Sequence, residues 1–565
     1  MRSACQGRCS RVGCGRHGVE LVLVGGRIVA SGQGGEAADA IAVCGRRIAA
    51  VGRREEILQL AGPRTRVVDV AGGSVIPGVN DSHLHLSWWA LARPPQVVDL
   101  TGIRSVEELR QVVGARAREA PPGSWVRGAG WSESRLREFS DGRRRPARED
   151  LDDVAPETPV VLEHWTRHAA WANSVALRKA GICAATRDPD GGTIVRTESG
   201  EPTGHLLEAA IELLYRAIPP TGRREMRAAI VEAARELSRR GVTSVTDPVV
   251  TPELLRDYAA LHAEQSLALR LSVLLHWDWP SVRTTVAGLR HALEFVGVTS
   301  GFGDEWLRIG GCKLFADGVP ALGTAWMSRP GGSGTLGGLV TEGDSDAERE
   351  RALREMIRVL HRERFQIQVH ATGDLACDVV ADAFANSMTE DPWPRARHVV
   401  IHGNFLTRDA IGKLARHGFI CNTNSLIKWQ ASDALRAVLD ESRWHRNMPW
   451  REILDGGAHL TDSSDAPITE PDWRQALETL VLRECRGSGA ISGPDQRLSR
   501  EEAIRAWTIE PAYQDGQEWL KGSLERGKRA DLVVLAEDVL TVEDHELHAV
   551  TPVMTVLDGK IVAES

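Results

Sequence analysis

Two histidines two positions apart, His83 and His85 in PGVNDSHLHL, are the first residues whose spacing points to chemistry. The apolar run before them predicts a β-strand, and side chains two apart in a strand project from the same face. Two imidazoles on one face can bind a divalent metal ion together. Such a pair also occurs as hydrogen-bonded core histidines, so the spacing alone leaves both roles open.

Four further residues with possible metal-binding side chains lie in or directly after later apolar runs. They are Lys313 in GGCKLFADG, His370 in QVHATGD, His402 in VVIHGN and Asp465 in LTDSSDAPI. Together with the histidine pair, they place a candidate ligand at five of eight predicted strand ends. This coincidence favours a metal site over core packing. For the lysine, an ion pair with a neighbouring acid such as Asp317 is the alternative.

The elements that must position these residues are eight strand-like runs that alternate with segments of helical periodicity. The runs cover residues 74–81, 241–247, 270–277, 307–317, 366–374, 397–404, 418–424 and 457–465. Eight alternations of strand and helix predict a (β/α)8 barrel of the TIM type over residues 74–524. Enzymes with this barrel carry their active sites at the carboxyl ends of the strands, where the candidate ligands lie.

Short alternating runs broken by glycine stand at both ends of the chain and predict antiparallel strands. We expect residues 20–73 and 525–565 to pair into one small β-domain, a β-sandwich. The stretch between the first and second barrel strands is too long for one helix. It predicts an inserted subdomain over residues 97–225.

Composition excludes several classes of protein. The chain has 565 residues, 42% of them hydrophobic and 26% charged, which is typical of a globular protein. Its 69 basic and 77 acidic residues give a net charge of −8, so neither nucleic acid nor an anionic membrane is an expected partner. No apolar run reaches the ~18–20 residues of a membrane-spanning helix.

The cysteines and the N-terminus bear on location. Nine cysteines, six of them scattered, predict free thiols in a reducing cytoplasm. Residues 1–19 lack the apolar stretch of a secretory signal and predict a disordered leader. The spacing of Cys5, Cys9 and Cys14 within it matches no common zinc module. A homo-oligomer is compatible with this sequence.

The motifs PGVNDSHLHL, KLFADG, VHATGD, IHGN and SSDAP together resemble the amidohydrolase superfamily. They are most similar to its family-three branch, which includes N-substituted formamide deformylases. DGGTIVRTESGEPTGHLLEAA and GSLERGKRADLVVL extend the resemblance over nearly the whole chain from about residue 20. The resemblance implies a metal-dependent hydrolase that cleaves a carbon–nitrogen bond of a small molecule, an amide or an N-substituted formamide.

The resemblance also implies two metal positions. One ion would be bound by His83, His85 and Asp465, and a second by His370 and His402. Zinc suits imidazole and carboxylate ligands with an open water position, and manganese, iron or cobalt suit the same ligands. A metal-bound water with its pKa lowered toward about 7 would be the nucleophile.

The resemblance also implies chemical roles for two residues. Lys313 would be carbamylated by carbon dioxide, because a carbamate is an anionic oxygen ligand able to bridge two cations. Asp465 would be the general base that accepts the proton of the water and passes it to the leaving amine. Asp462 is the second candidate for this base. Asp465 aligns better with the family's Ser-Asp step before a small residue and proline.

Aromatic residues near these motifs suggest the character of the substrate. Trp88 and Trp89 follow the histidine pair directly and are expected near the mouth of the pocket. Trp131, His168 and Trp326 lie in the insertion or in a long loop, and the family motif places His168 near the substrate. Each tryptophan has packing as its alternative role. Together they indicate an apolar or aromatic substrate.

Two other functions stay open. The same site could hydrolyse an ester, a lactone or a carbamate instead of an amide. The fold could also serve a non-catalytic regulator, although such a protein has no need of an intact ligand set.

Overall fold

A computed structural model of the chain describes residues 18–29, 38–133, 135–139, 144–164, 169–189, 192–208, 210–277, 284–331 and 334–565. The chain divides into two compact units. One comprises Met1–Leu86 with Val231–Ser565, and the other comprises Ser87–Ile230. The leader segment with Cys5, Cys9 and Cys14 lies outside the described residues, apart from Gly18 and Val19.

An eight-stranded, all-parallel sheet forms the centre of the first unit. Its strands, numbered β1 to β8 along the chain, are Val79–Asp81, Val242–Val250, Arg270–Leu275, Leu307–Phe315, Gln366–Ala371, Val399–His402, Ile420–Thr423 and His459–Asp462. Each strand pairs in parallel with the next one along the chain. Most of their residues are buried, as expected for parallel strands covered on both faces.

The two edge strands of this sheet, β1 and β8, are linked through the segments that follow them. Ser82 Oγ donates a hydrogen bond to the Asp462 carbonyl at 3.0 Å. The His85 N–H donates to the Ala466 carbonyl at 2.9 Å. These bonds join the two edges of the sheet near the carboxyl ends of the strands. The predicted barrel of the TIM type is confirmed.

The first predicted strand, residues 74–81, is divided in the structure. Ser74–Pro77 pairs with a C-terminal strand, and only Val79–Asp81 belongs to the barrel. The chain leaves one sheet for the other at Gly78, whose N–H donates to the Asp531 carbonyl. A Cβ at this position would lie 2.3 Å from Thr243 Oγ1, so only glycine allows this approach.

Helices connect the barrel strands, and further helices precede the first strand and follow the last one. In the first unit and at its boundaries they are Arg54–Leu58, Leu86–Leu91, Arg223–Arg239, Pro252–Ala263, Val286–Val296, Asp346–Arg362, Asp374–Glu390, Arg408–His417, Ser425–Val438, Glu441–Arg446, Trp450–Asp455, Trp473–Leu482, Arg500–Ala506 and Ile509–Gln514. Short 3₁₀ helices cover Pro320–Leu322, Pro494–Gln496 and Asp544–Ala549. Side-chain caps fix several starts; at Ser345 a full capping box with Glu348 begins Asp346–Arg362.

Two small sheets are built from the ends of the chain. One has the order Arg47–Gly52, Ala40–Cys44, Leu21–Val24, Arg66–Asp69, and the other Arg27–Ile28, Ser74–Pro77, Leu532–Leu535, Pro552–Leu557, Lys560–Glu564. They share one cluster of buried side chains, which includes Leu23 and Ile41 from the first sheet and Leu532 and Val556 from the second. A hairpin turn at Asp558-Gly559 joins the last two strands, with both residues at positive φ.

The second unit contains residues 97–225 and has its own sheet and core. Its strands, in sheet order, are Gly192–Arg196, Pro202–Glu208, Ala169–Ala172, Val160–His164, Val126–Trp131 and Val98–Asp99. Its helices are Val106–Glu119, Glu149–Asp152, Ser174–Lys179 and Ile211–Tyr215. Leu109, Val113, Leu162 and Trp171 belong to one of its buried clusters.

The described cysteines depart from the prediction at one position. Cys183, Cys312, Cys377, Cys421 and Cys485 are free thiols. Cys44 is disulfide-bonded, so its prediction as a free thiol was wrong. Over the described residues, no helix has both the length and the apolar character needed to cross a bilayer.

Candidate metal centre

Three of the predicted ligands converge at the carboxyl ends of β1 and β8. Asp465 Oδ1 lies 3.4 Å from His83 Nε2 and 3.3 Å from His85 Nε2. One donor atom from each residue lies within 4.8 Å of the other two, and all three side chains are buried. His83 lies in a bend directly after β1, and His85 follows just before the next helix, so neither residue is part of the strand.

The other two histidines continue this group on the opposite side. The His402 ring centre lies 5.8 Å from that of His83, and the His370 ring centre lies 4.4 Å from that of His402. The two rings come from the ends of β5 and β6, which pair directly, with Ala371 opposite His402. Four imidazoles therefore form a continuous row across the barrel.

Neighbouring groups fix the tautomers of two of these rings. His370 Nε2–H donates to the Gly318 carbonyl at 3.0 Å, and His402 Nδ1–H donates to Asn424 Oδ1 at 2.5 Å. The Asn424 amide is oriented in turn by donating to Ser463 Oγ at 2.9 Å. Such bonds leave His370 Nδ1 and His402 Nε2 as the lone-pair nitrogens, the form that binds a metal.

Burial governs the charge of the group. It lowers the pKa of His83 and His370 well below the usual range, and that of His402 to about 4. Burial raises the pKa of Asp465, but the His85 hydrogen bond and nearby positive charges outweigh it, so the pKa is lowered. Neutral imidazoles beside an ionised carboxylate are the protonation states that a divalent cation requires.

The backbone is strained at two of the five residues. His402 has φ 73° and Asp465 has φ 55°, in the left-handed region that non-glycine residues seldom adopt. Residues held in this way concentrate at functional sites because the surrounding structure must compensate the cost. At Asp465 the compensation includes the N–H bond to the His83 carbonyl.

Lys313 lies inside β4, and its side chain is buried. Its Nζ lies 4.8 Å from the centre of the Phe315 ring, and burial lowers its pKa to about 7. The alternative of an ion pair with Asp317 does not hold. Among the described residues, the Asp317 carboxylate accepts instead from the N–H groups of Trp326, Thr372 and Gly373 and from the Thr372 hydroxyl.

Asp462, the second candidate for the general base, is enclosed by donors. Oδ1 accepts from the Ser425 N–H and the Thr423 hydroxyl, and Oδ2 accepts from the Ser425 hydroxyl and Trp507 Nε1–H. Burial raises its pKa to about 7. Both oxygens are thus occupied by protein groups, which fits a structural role.

A divalent metal ion fits the residues of this site. Two imidazoles and one carboxylate converge from three positions, which is a common protein ligand set of catalytic zinc sites. His83 Nδ1 is buried and has no hydrogen-bond partner among the described residues. The imidazole row and the buried lysine amine extend the donor set toward a second position.

The predicted substrate-contacting residues fall in different places. Trp88, Trp89 and Trp131 belong to the second unit. Trp131 is 1% exposed, and its Nε1–H donates to the Leu162 carbonyl, so its side chain is part of that unit's core. The Arg93 guanidinium stacks on Trp89 at 4.3 Å. Trp326 is half-buried in the loop after β4, and His168 lies outside the described residues.

Sequence reasoning missed several polar residues around the ligand set. His276 follows β3, and its Nδ1 lies 3.3 Å from the Lys313 carbonyl oxygen. Asp247 in β2 is buried; burial raises its pKa to about 6, although the charge of His85 lowers it. His276 and Asn424 also follow barrel strands, so the rule of polar residues at strand ends could have found them.

Comparison with known proteins identifies the family of this chain. The model of the amidohydrolase family matches residues 66–563. The chain belongs to the amidohydrolase family. The N-substituted formamide deformylase of Arthrobacter pascens is 30% identical over 551 residues, which cover 96% of this chain and 97% of that protein.

Two solved structures resemble this amidohydrolase closely in fold. An uncharacterized metal-dependent hydrolase of Pyrococcus furiosus superposes with a TM-score of 0.72 at 25% identity, over 92% of this chain and 100% of that one. One of Pyrococcus horikoshii gives 0.72 at 24% identity, over 93% and 99%. Family membership identifies a metal-dependent hydrolase that acts on small molecules.

Proposed function

We propose that this amidohydrolase cleaves the carbon–nitrogen bond of an amide or an N-substituted formamide. The observation that carries the proposal is the convergence of His83, His85 and Asp465 at the carboxyl end of the barrel. The relative in Arthrobacter pascens, which is named an N-substituted formamide deformylase, supports this bond type.

The ligands of the proposed site are assigned by their position in the imidazole row. His83, His85 and Asp465 would hold one ion, and His370 and His402 would hold a second. Zinc is the expected metal, and manganese, iron and cobalt suit the same donors. When bound, the metal supplies Lewis-acid polarisation of the substrate carbonyl and acidifies water.

Asp465 would move the proton. Its Oδ1 faces the imidazoles of His83 and His85, so Oδ2 is the oxygen that would take a proton from the attacking water. The lowered pKa keeps the carboxylate ionised and ready to accept. The same atom would then protonate the nitrogen of the leaving amine, which makes the amine a neutral leaving group.

Lys313 would be carbamylated. Its lowered pKa gives a substantial fraction of neutral amine near pH 7, and only the neutral amine has the lone pair for this step. Nζ attacks the carbon of carbon dioxide, a C=O electron pair moves onto oxygen, and the proton from Nζ leaves to solvent. The product is an anionic oxygen donor beside His370 and His402.

The barrel domain, residues 74–524, would carry the active site. Residues 20–73 and 525–565 would form the supporting β-sandwich, in accord with their shared buried cluster. Residues 97–225 would be the insertion, in accord with the boundaries of the second unit. We propose an apolar or aromatic substrate, with Trp88, His168 and Trp326 as its contacts. Trp89 and Trp131 are 2% and 1% exposed, so both side chains are core residues and neither is proposed as a direct contact.

The test uses the purified protein with its metal content measured. Activity is screened over N-substituted formamides and N-acyl amines, with matched esters, lactones and carbamates beside them. We expect hydrolysis of the amide-type substrates, lost on chelation and restored by zinc, manganese or cobalt. Turnover of the esters alone would overturn the bond assignment, and metal-independent turnover would overturn the site.

A further inference from the structure

The segment that carries the histidine pair, residues 82–85, has no regular secondary structure between β1 and the helix Leu86–Leu91. Its backbone is nevertheless bonded on both sides. The Leu84 N–H donates to the Thr246 carbonyl of β2 at 2.9 Å, and the His85 N–H donates to the Ala466 carbonyl at 2.9 Å. Imidazoles on an irregular segment keep their places only if such bonds fix the backbone that carries them.

Two buried carboxylates accept from the N–H groups at the two ends of this segment. Asp81 Oδ1 accepts from the His83 N–H at 3.4 Å and from the Ser464 N–H at 3.2 Å. The Asp247 carboxylate accepts from the Leu86 N–H, which belongs to the peptide group that follows His85. Both carboxylates are buried. The backbone around both histidines is therefore fixed by acidic side chains.

The Asp247 carboxylate is itself oriented by a tyrosine. Tyr258, from the helix Pro252–Ala263, is fully buried, and its Oη–H donates to Asp247 Oδ2 at 2.5 Å. The Val249 N–H lies 3.5 Å from Asp247 Oδ1. A chain of hydrogen bonds thus runs from the Tyr258 hydroxyl through the Asp247 carboxylate to the backbone beside His85.

The start of the helix Leu86–Leu91 does not by itself explain a carboxylate at this position. A serine or asparagine side chain would also accept from the Leu86 N–H, and it would not place a charge in the interior. The carboxylate of Asp247 lies close enough to His85 for the two side chains to interact electrostatically. A charged acceptor is therefore matched to the histidine and not only to the helix.

A bound metal ion gives this charge a role. Imidazole binds a metal in its neutral form. Of the three proposed ligands His83, His85 and Asp465, only Asp465 then brings a negative charge, and one charge neutralises half of a divalent ion. Asp247 adds a second negative charge next to His85. Acidic groups that support a ligand histidine raise its basicity and hold its ring in place.

We propose that Asp247 and Tyr258 are positioning residues that set the zinc affinity of the first metal position. Tyr258 orients Asp247, and Asp247 fixes the backbone at His85 and supplies negative charge beside it. Both residues act through His85 and not on the substrate. The proposal rests on the proposed function and deepens it, because it names two residues beyond the ligands on which metal binding depends.

The experiment uses three variants of the full chain. Tyr258→Phe removes the hydroxyl and keeps the ring, and Asp247→Asn keeps the size of the side chain and removes its charge. Tyr513→Phe is the matched control. Its Oη–H donates to the Gly418 carbonyl at 3.0 Å, before β7 and at the opposite end of the barrel, so it also loses one phenol hydrogen bond. Circular dichroism and thermal midpoints check that each variant folds.

Zinc dissociation constants are measured by competition with a chromophoric chelator at one fixed pH. His83→Ala identifies the constant that belongs to the first metal position. In Tyr258→Phe and Asp247→Asn we expect this constant to rise at least about tenfold, the usual effect of losing a group that supports a metal ligand, and in Tyr513→Phe to stay within about twofold.

The visible absorption spectrum of the cobalt-loaded protein gives a second readout, because it reports the arrangement of the ligands around the ion. We expect the bands to shift in Tyr258→Phe and Asp247→Asn and to stay unchanged in Tyr513→Phe. A general loss of stability would not produce this difference between the two tyrosine variants.

The possible results separate this proposal from the proposed function. Zinc constants or cobalt spectra that are the same in Tyr258→Phe and Tyr513→Phe would overturn the positioning role and leave the metal site in place. An unchanged zinc constant in a folded Asp247→Asn would do the same, and if that variant does not fold, Tyr258→Phe decides alone. An unmodified chain that binds no zinc would overturn the proposed metal site and this proposal together.

Discussion

The backbone N–H of Asp465 donates to the carbonyl oxygen of His83 at 2.9 Å. This bond joins the segment after β8 to the segment after β1, the two edges of the eight-stranded sheet. The same hydrogen bond therefore joins the two edges of the sheet and holds the Asp465 carboxylate beside the imidazoles. Asp465 itself has φ 55°, in the left-handed region.

Asp465→Asn tests the proton transfer. Asparagine keeps the size and one oxygen, and its backbone can still bond to His83, but it cannot accept a proton. We expect kcat to fall by about 10² or more with little change in KM. Metal content measured on the same preparation separates a lost base from a lost ligand. Near-normal turnover would remove Asp465 from both roles.

Asp462→Ala is expected to act on stability instead. The substitution leaves the Ser425 N–H and hydroxyl, the Thr423 hydroxyl and Trp507 Nε1–H without their acceptor in a buried place. The free energy of unfolding should fall by about 3 kcal/mol or more. Urea unfolding measures it. A stable variant with greatly reduced kcat would instead make Asp462 the base.

His83→Ala tests the ligand set. Its Nε2 lies 3.4 Å from Asp465 Oδ1 at the centre of the buried group, so its removal opens the donor set on one side. We expect the bound metal measured by elemental analysis to fall by about tenfold or more at equal free metal. His291→Ala, on an exposed helix, is the control and should keep full occupancy. Equal metal in both variants would refute the assignment.

The sequence predicts those features of the site that depend on residues close together in the chain, and misses those that depend on contacts between distant residues. Alternating strands and helices specify the barrel, and the polar residues at its strand ends specify His83, His370 and His402. The change of sheet at Gly78 depends on Thr243, far away in the chain, and local pattern contains no sign of it. For Trp131 the sequence leaves substrate contact and packing open, and burial with the hydrogen bond to the Leu162 carbonyl identifies it as a core residue.

The choice between Asp462 and Asp465 shows the same limit. Both carboxylates stand in the segment LTDSSDAPI at the end of the last strand. Their environments differ because Ser425, Thr423 and Trp507 enclose one of them, and these residues reach it only through tertiary packing. The sequence can rank Asp462 and Asp465 as candidates for the general base. Only the hydrogen-bond partners in the folded chain show that the Asp462 carboxylate is already fully bonded.

Lys313→Ala tests carbamylation. Loss of the carbamate oxygen should lower kcat by about 10² or more, and a short carboxylate such as acetate or propionate in the buffer should restore part of it. In the unmodified chain, ¹³C-bicarbonate should give a carbamate signal in the ¹³C NMR spectrum that is absent from Lys313→Ala. Full activity of the variant, or no carbamate signal, would contradict the modification.

A second histidine pair, at the opposite end of β6, bears on pH stability. His398 Nδ1 accepts from the Ile367 N–H at 3.1 Å, and its Nε2–H donates to His361 Nδ1 at 2.9 Å. His361 Nε2–H donates to the Asp391 carbonyl at 2.7 Å. Every ring nitrogen is thus used by a neutral imidazole. An added proton on either Nδ1 would face another N–H.

The sign of the pH effect follows from these bonds. Burial lowers the pKa of both rings, that of His398 well below the usual range; Asp391 and Glu390 act against burial at His361, and Arg364 with it. The unfolded chain, with histidine pKa values near about 6.5, then binds more protons below that pH. The free energy of unfolding contributed by the pair is complete above about pH 7.5 and falls as the pH drops through 6.5 toward the folded-state values.

The pair should therefore lower the free energy of unfolding at acidic pH. Between pH 8 and pH 5.5, each histidine that stays neutral in the folded state contributes about 1.4 kcal/mol of lost stability. We expect the double variant His361→Leu/His398→Phe to be less stable at pH 8 but to lose at least about 1.4 kcal/mol less than the unmodified chain over this interval, which is the share of His398. Urea unfolding at both pH values measures it, and the histidines of the metal centre cancel in the comparison. An identical pH dependence of the two proteins would contradict this prediction, because it would mean that the two histidines bind protons as readily in the folded chain as in the unfolded chain.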